Sequence, residues 1–86
     1  VAEQLAPGDW RFSARWDVDD LNDEYHLNLP EDGDYSTLGG MLIHFAERIP
    51  QQGETLEIGP YTATIERASE TKIEQVRLVL TDGDAG

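Results

Sequence analysis

Two kinds of chemistry are the first to look for in this chain: oxygen ligation of a hard cation and the cradling of a phosphate. Asp32 and Asp34, in the loop Glu31-Asp32-Gly33-Asp34, are the candidate metal ligands, because hard divalent cations take carboxylate oxygens. Asp32-Gly33-Asp34-Tyr35-Ser36 begins like a calcium loop. It then runs into Leu38 instead of supplying the Gly and Glu that pattern needs. Gly39 and Gly40 are the candidate cofactor-binding residues, since glycines at a helix start let backbone amides approach a phosphate. FAD or an adenine nucleotide is the cofactor such a pair would hold. No Lys or Arg flanks the pair, so close packing of a helix is favoured and no cofactor is expected. His26 and His44 fall on different elements, with no nucleophile or orienting acid at motif spacing, and read as structural or surface residues. Trp10 and Trp16 could stack a ligand ring, but aromatics at strand spacing more often serve the core. With no catalytic motif in view, the expectation is a protein that is not an enzyme.

Charge narrows the partners. The 86 residues hold 18 acidic against 6 basic side chains, a formal net charge of −12. Phosphate backbones and anionic headgroups are repelled, so neither nucleic acid nor direct membrane docking is expected. The acidic residues concentrate at Asp17, Asp19, Asp20, Asp23 and Glu24 and at Glu31, Asp32 and Asp34, with no Lys or Arg from Asp17 through Glu47. A solvated acidic face is the favoured reading, with weak cation association following from charge density alone. Cysteine is absent, which removes disulfides and thiolate metal sites. No apolar run approaches the ~20 residues that span a bilayer, and no signal peptide is visible. The chain starts at Val1 rather than Met, which suggests a piece of something longer.

A chain this short makes one domain with a thin core. Residues 1–8, with Pro7-Gly8, read as a linker remnant; 9–81 as the domain; 82–86 as an acidic tail. Trp10, Phe12 and Ala14 alternate as one face of a strand, with Trp16 in the same register. Val18, Leu21 and Tyr25 form a short helical stripe behind Asp17 as N-cap. Leu38, Met41, Leu42, Phe45 and Ile49 form the clearest amphipathic stripe, capped by Ser36 or Thr37 and stopped by Pro50. Leu38, Leu42, Phe45 and Ile49 are expected to meet Ile58, Ile65, Val76 and Leu78. Strands over Glu54 to Ile58 and Tyr61 to Arg67 flank the Gly59-Pro60 turn. The last strand turns Val76, Leu78 and Leu80 inward, and Ile73, out of step, points to a bulge near Glu74-Gln75. The order β-α-α-β-β-β makes an α+β domain, two helices laid on a small antiparallel sheet.

Tyr35-Ser36-Thr37-Leu38-Gly39-Gly40-Met41-Leu42, followed by Arg48-Ile49-Pro50-Gln51-Gln52-Gly53-Glu54, resembles the two ordered motifs of the CorC/HlyC transporter-associated family. Trp16-Asp17-Val18-Asp19-Asp20-Leu21-Asn22 is similar to the family's short helix after its first strand. The resemblance runs from about Asp9 to Leu80. The family often has Asp where this chain has Ser36, and commonly Gly where it has Glu47. The resemblance implies a fold similar to part of the FAD-binding fold of certain oxidoreductases. It also implies a C-terminal module on the cytoplasmic side of the inner membrane, behind transmembrane and CBS domains. The parents are linked to magnesium and cobalt efflux or called hemolysins. Its partners would be those neighbouring domains or a second copy of itself, and its role modulation of transport.

Overall fold

A computed structural model of the chain describes residues 3–81. Five strands and two helices follow in the order β1 (Glu3–Ala6), β2 (Asp9–Ser13), α1 (Val18–Tyr25), α2 (Leu38–Ala46), β3 (Thr55–Ile58), β4 (Tyr61–Ala68) and β5 (Ile73–Leu80). The strands make one antiparallel sheet in the order β1-β2-β5-β4-β3. The expected α+β fold is therefore found, with one strand more than the sequence disclosed.

That strand is β1, and it corrects the linker reading of residues 1–8. Glu3–Ala6 pairs with β2 through the Pro7-Gly8 turn, where Gly8 takes φ 77°. All four residues are exposed, so no alternation of apolar residues marked them. Backbone pairing on an edge makes this strand, and side-chain burial does not. The domain thus reaches back to Glu3. The acidic tail expected at 82–86 lies outside the described residues.

The core is the helix-facing side of the sheet. Phe12, Ala63, Ile65, Val76 and Leu78 are fully or almost fully buried against Val18 and Leu21 of α1 and Leu38, Met41 and Leu42 of α2. The expected bulge is present. The β4–β5 register runs Ile65↔Val76, Arg67↔Gln75, Ala68↔Ile73, so one extra residue on each strand, Glu66 and then Glu74, is passed over. The slip turns Ile73 inward, three residues from Val76, on the face that it would otherwise miss. Leu80 departs from expectation: it is 40% exposed, lying at the strand's end beside Gly8.

The stripe on α2 also needs correction. The helix ends at Ala46, and Glu47 caps it in the left-handed conformation at φ 61°, its N–H bonded to the Ile43 carbonyl. Ile49 is therefore past the helix and only half-buried, and Phe45 is 47% exposed. Leu38, Met41 and Leu42 face the sheet as expected. The apolar spacing continued beyond the residue at which the backbone turned, and Pro50 is buried where Phe45 is not.

Candidate functional site

The acidic loop and α2 form one surface. The loop between α1 and α2 begins at His26, which caps α1 in the left-handed region (φ 57°) with its N–H on the Asn22 carbonyl. Asn22 then holds the loop with its side-chain amide: Nδ2 donates to the Leu29 carbonyl at 2.8 Å and to Glu31 Oε2 at 2.6 Å, while Oδ1 accepts from the Leu29 N–H at 2.7 Å. Tyr61, buried in β4, donates its hydroxyl to the Leu27 carbonyl at 2.9 Å. Leu27 and Leu29 are buried as a result. The loop thus has fixed geometry although its carboxylates face water.

Asp32 and Asp34 are both exposed. Asp32 helps line a shallow cavity with Asn22, His26, Asn28, Leu29, Pro30 and Glu31, which Asp34 does not reach. Among the described residues no group of three or more His, Cys, Asp or Glu side chains is gathered to hold a metal ion. Tyr35 folds the loop's end over itself, donating to the Pro30 carbonyl at 2.6 Å. Its ring lies where a Cβ on Gly33 would be, so a larger residue there would push the Tyr35 side chain aside. Burial, with Asp32 and Glu31 nearby, raises the Tyr35 phenol above its ordinary range.

At the start of α2 every free amide has a partner within the chain. Leu38 N–H donates to the Trp16 carbonyl at 2.8 Å, Gly39 N–H to the Ala14 carbonyl at 3.0 Å, and Gly40 N–H to Thr37 Oγ1 at 3.1 Å. Thr37, not Ser36, is the cap. A Cβ on Gly39 would come within 3.1 Å of Ala14 Cβ and 3.8 Å of Ile73 Cβ. Gly39 therefore seats the helix on the sheet, and a phosphate at Gly39-Gly40 would have to displace hydrogen bonds that tie α2 to the chain after β2. Asp17 stands at the N-cap of α1, but its carboxylate makes no cap bond. Its role is main-chain pairing with Thr37.

His26 and His44 stay on separate elements, α1's end and α2. His44 instead packs at a tilt against Tyr35 (centroids 5.1 Å) and meets Phe45 edge-on (5.1 Å), with Tyr35–Phe45 at 6.1 Å. This aromatic trio leaves Phe45 exposed on the loop-and-α2 surface, where placing Phe45 in the core had hidden it. One signal was available: a position where the family commonly has Gly is a position where a helix ends in the left-handed region. Trp10 stacks on Phe12 (5.7 Å) and packs at a tilt against Tyr25 (4.9 Å), which joins it to the core, and Trp16 is half-buried against the core cluster.

The family profile described as the transporter associated domain, CorC_HlyC, matches residues 3–82. The magnesium and cobalt efflux protein CorC of Salmonella typhimurium is 28% identical over 79 residues, 92% of this chain and 27% of that protein. UPF0053 protein YegH of Escherichia coli is 27% identical over 77 residues, 90% of this chain and 15% of that protein. The chain thus spans about a quarter or less of the length of these curated relatives. Among solved structures, a transporter associated domain CorC_HlyC from Nitrosomonas europaea superposes with a TM-score of 0.81 at 29% identity, covering 94% of this chain and 96% of that one.

Proposed function

Because the chain belongs to the CorC/HlyC transporter-associated domain family, we propose that it is a non-enzymatic accessory domain which regulates a CorC-type membrane ion transporter. In that role it sits on the cytoplasmic face of the inner membrane, carried there by its parent, next to CBS and transmembrane domains. No helix among the described residues is long and apolar enough to cross a membrane. The observation that carries the reading is the match over residues 3–82 to a domain of CorC-type efflux proteins. The surface it would use is the Tyr35–His44–Phe45 trio. Phe45 is held in place by its ring neighbours yet keeps 47% of its surface in water, apolar area that a neighbouring domain could cover. Packing of this face on the CBS pair would bias the conformation of the transport unit, and packing on a second copy would do so across a dimer.

A full-length CorC-type parent, reconstituted in vesicles and assayed for magnesium flux, tests this. Phe45→Asp should change flux severalfold while the isolated domain keeps its Tm. Flux unaltered when residues 3–81 are deleted would remove the regulatory role.

A further inference from the structure

At one end of the open sheet face the fold gathers cations that are scattered in sequence. Arg11, Arg15, Arg67 and Lys72, four of the chain's six basic residues, line one groove with Glu3, Ser13, Ile73, Glu74 and Gln75. Its cavity is about 820 Å³, within the range of small-molecule sites. The fold fixes the groove's walls. β2 pairs with β5 through Ser13↔Gln75, and β4 with β5 through Arg67↔Gln75. The β4–β5 turn that carries Lys72 is closed by the Ser69 N–H on the Lys72 carbonyl at 2.8 Å. Arg11 is tied to Glu66 at 2.7 Å and to Glu3 at 3.3 Å. Glu66 also accepts from Gln75 Nε2 at 2.9 Å. Arg15, Arg67 and Lys72 form no ion pair among the described residues.

We infer that this groove binds a small multivalent anion, its phosphate or carboxylate oxygens held by Arg15, Arg67 and Lys72. Guanidinium forks match such oxygens bidentately, and a lysine adds a mobile point charge. A small ligand fits better than an anionic surface. The chain's net charge of −12 repels a charged bilayer or polyelectrolyte at long range, and the Glu3 and Glu74 carboxylates bound the groove. A compact anion meets the three cations at short range, where screening is least. The inference goes beyond the regulatory reading and stands without it.

The test is an amide NMR titration of the 86-residue chain with sodium pyrophosphate and, separately, sodium citrate, at ionic strength held constant with sodium chloride. Saturable shifts are expected at Ser13, Arg15, Arg67, Lys72 and Glu74, and a response to only one anion assigns the oxygen class. The Arg67→Gln, Lys72→Gln double variant should bind about tenfold more weakly. Arg15→Gln, on another element, gives an independent reading should the double variant not fold. Arg48→Gln, which breaks only the exposed pair with Glu54, should bind like the parent. Shifts that stay linear in both anions, or an affinity unchanged by the groove variants, overturn the proposal. So does cosedimentation with phosphatidylglycerol vesicles without any saturable response to either soluble anion.

Discussion

The two faces of the sheet come from the same five strands and do opposite work. On the helix side, Phe12, Ala63, Ile65, Val76 and Leu78 alternate inward and are sealed by α1 and α2. On the open side, their neighbours Arg11, Arg77, Glu66 and Gln75 build a charged lattice. There Arg77 is bidentate on Asp9 at 2.9 and 2.7 Å, and Arg11 bonds Glu66. The period of two assigns each residue its side. The sealed side should therefore carry the stability and the open side the anion binding inferred above.

The strongest test of that division is truncation. Ile65→Ala, at a site with no exposure, should cost roughly 2–5 kcal/mol in chemical denaturation. Phe45→Ala should cost much less than a buried Phe truncation, because Phe45 is already half in water. Equal losses for the two would mean that the helix register described above is wrong.

Next in size is the tie between sheet and loop. Tyr61→Phe keeps the ring but strands the Leu27 carbonyl, and the expected loss is about 1 kcal/mol. The change should appear as faster hydrogen exchange at Leu27 and Leu29, with the β2–β5 amides protected as before. A uniform loss of protection would show that the loop is part of the sheet's own cooperative unit.

Glu47→Gly is the opposite case, a substitution expected to stabilise. At φ 61° a residue with a Cβ is disfavoured by about 1 kcal/mol, and glycine removes that cost. Part of the gain returns as unfolded-chain entropy, so the Tm should rise modestly. A fall would mean that the Glu47 side chain makes a contact worth more than the backbone cost.

How much of this was legible in the sequence depends on what signal each element carried. The buried faces of β4 and β5 were readable because alternation and burial coincide, and even the bulge at Glu74 showed as Ile73 falling out of step. β1 was silent because an exposed edge strand needs no apolar pattern. The end of α2 was misread because an apolar residue at Ile49 kept the period going while the backbone left the helix at Glu47. The fixed geometry of the acidic loop was equally invisible, since it depends on Asn22 reaching the Leu29 main chain across seven residues. The basic groove could not be read at all: residues 11, 15, 67 and 72 meet only through β2–β5 and β4–β5 pairing.

Acid should weaken the surface ion pairs before the sealed core. Arg48, with the Gln51 N–H, holds Glu54 down to about 2. Hydrogen bonds from Arg77 and Arg11 lower Asp9 and Glu66. Carboxyls lowered on folding stabilise the fold above their unfolded values, near 4. That contribution is lost as pH falls from there through the folded values. The Tm should hold steady above pH 5 and decline toward pH 2, and Arg77→Met should flatten the part due to Asp9. An unchanged slope would show that the lattice orders the face without stabilising it.

The smallest effect expected concerns cations, and it contrasts the acidic helix side with the basic end of the sheet. Asp19, Asp20, Asp23 and Glu24 lie on α1, Glu31, Asp32 and Asp34 on the loop, and all are exposed. Their mutual repulsion should destabilise the fold slightly at low salt, and any mobile cation relieves it. Diffuse screening and a bound ion differ in form. Screening follows ionic strength, with a Debye length of about 10 Å at 0.1 M, and is blind to the identity of the ion. A site stabilises by mass action and saturates. The carboxylates are divided between a helix face and a loop, and Asn22 draws Glu31 back toward the protein, so no single point collects three of them. Melting curves in sodium, magnesium and calcium chlorides at equal ionic strength should therefore superpose, each a degree or two above the low-salt curve. A saturable shift specific to one divalent ion, abolished by Asp32→Asn with Asp34→Asn, would make the acidic loop a cation sensor.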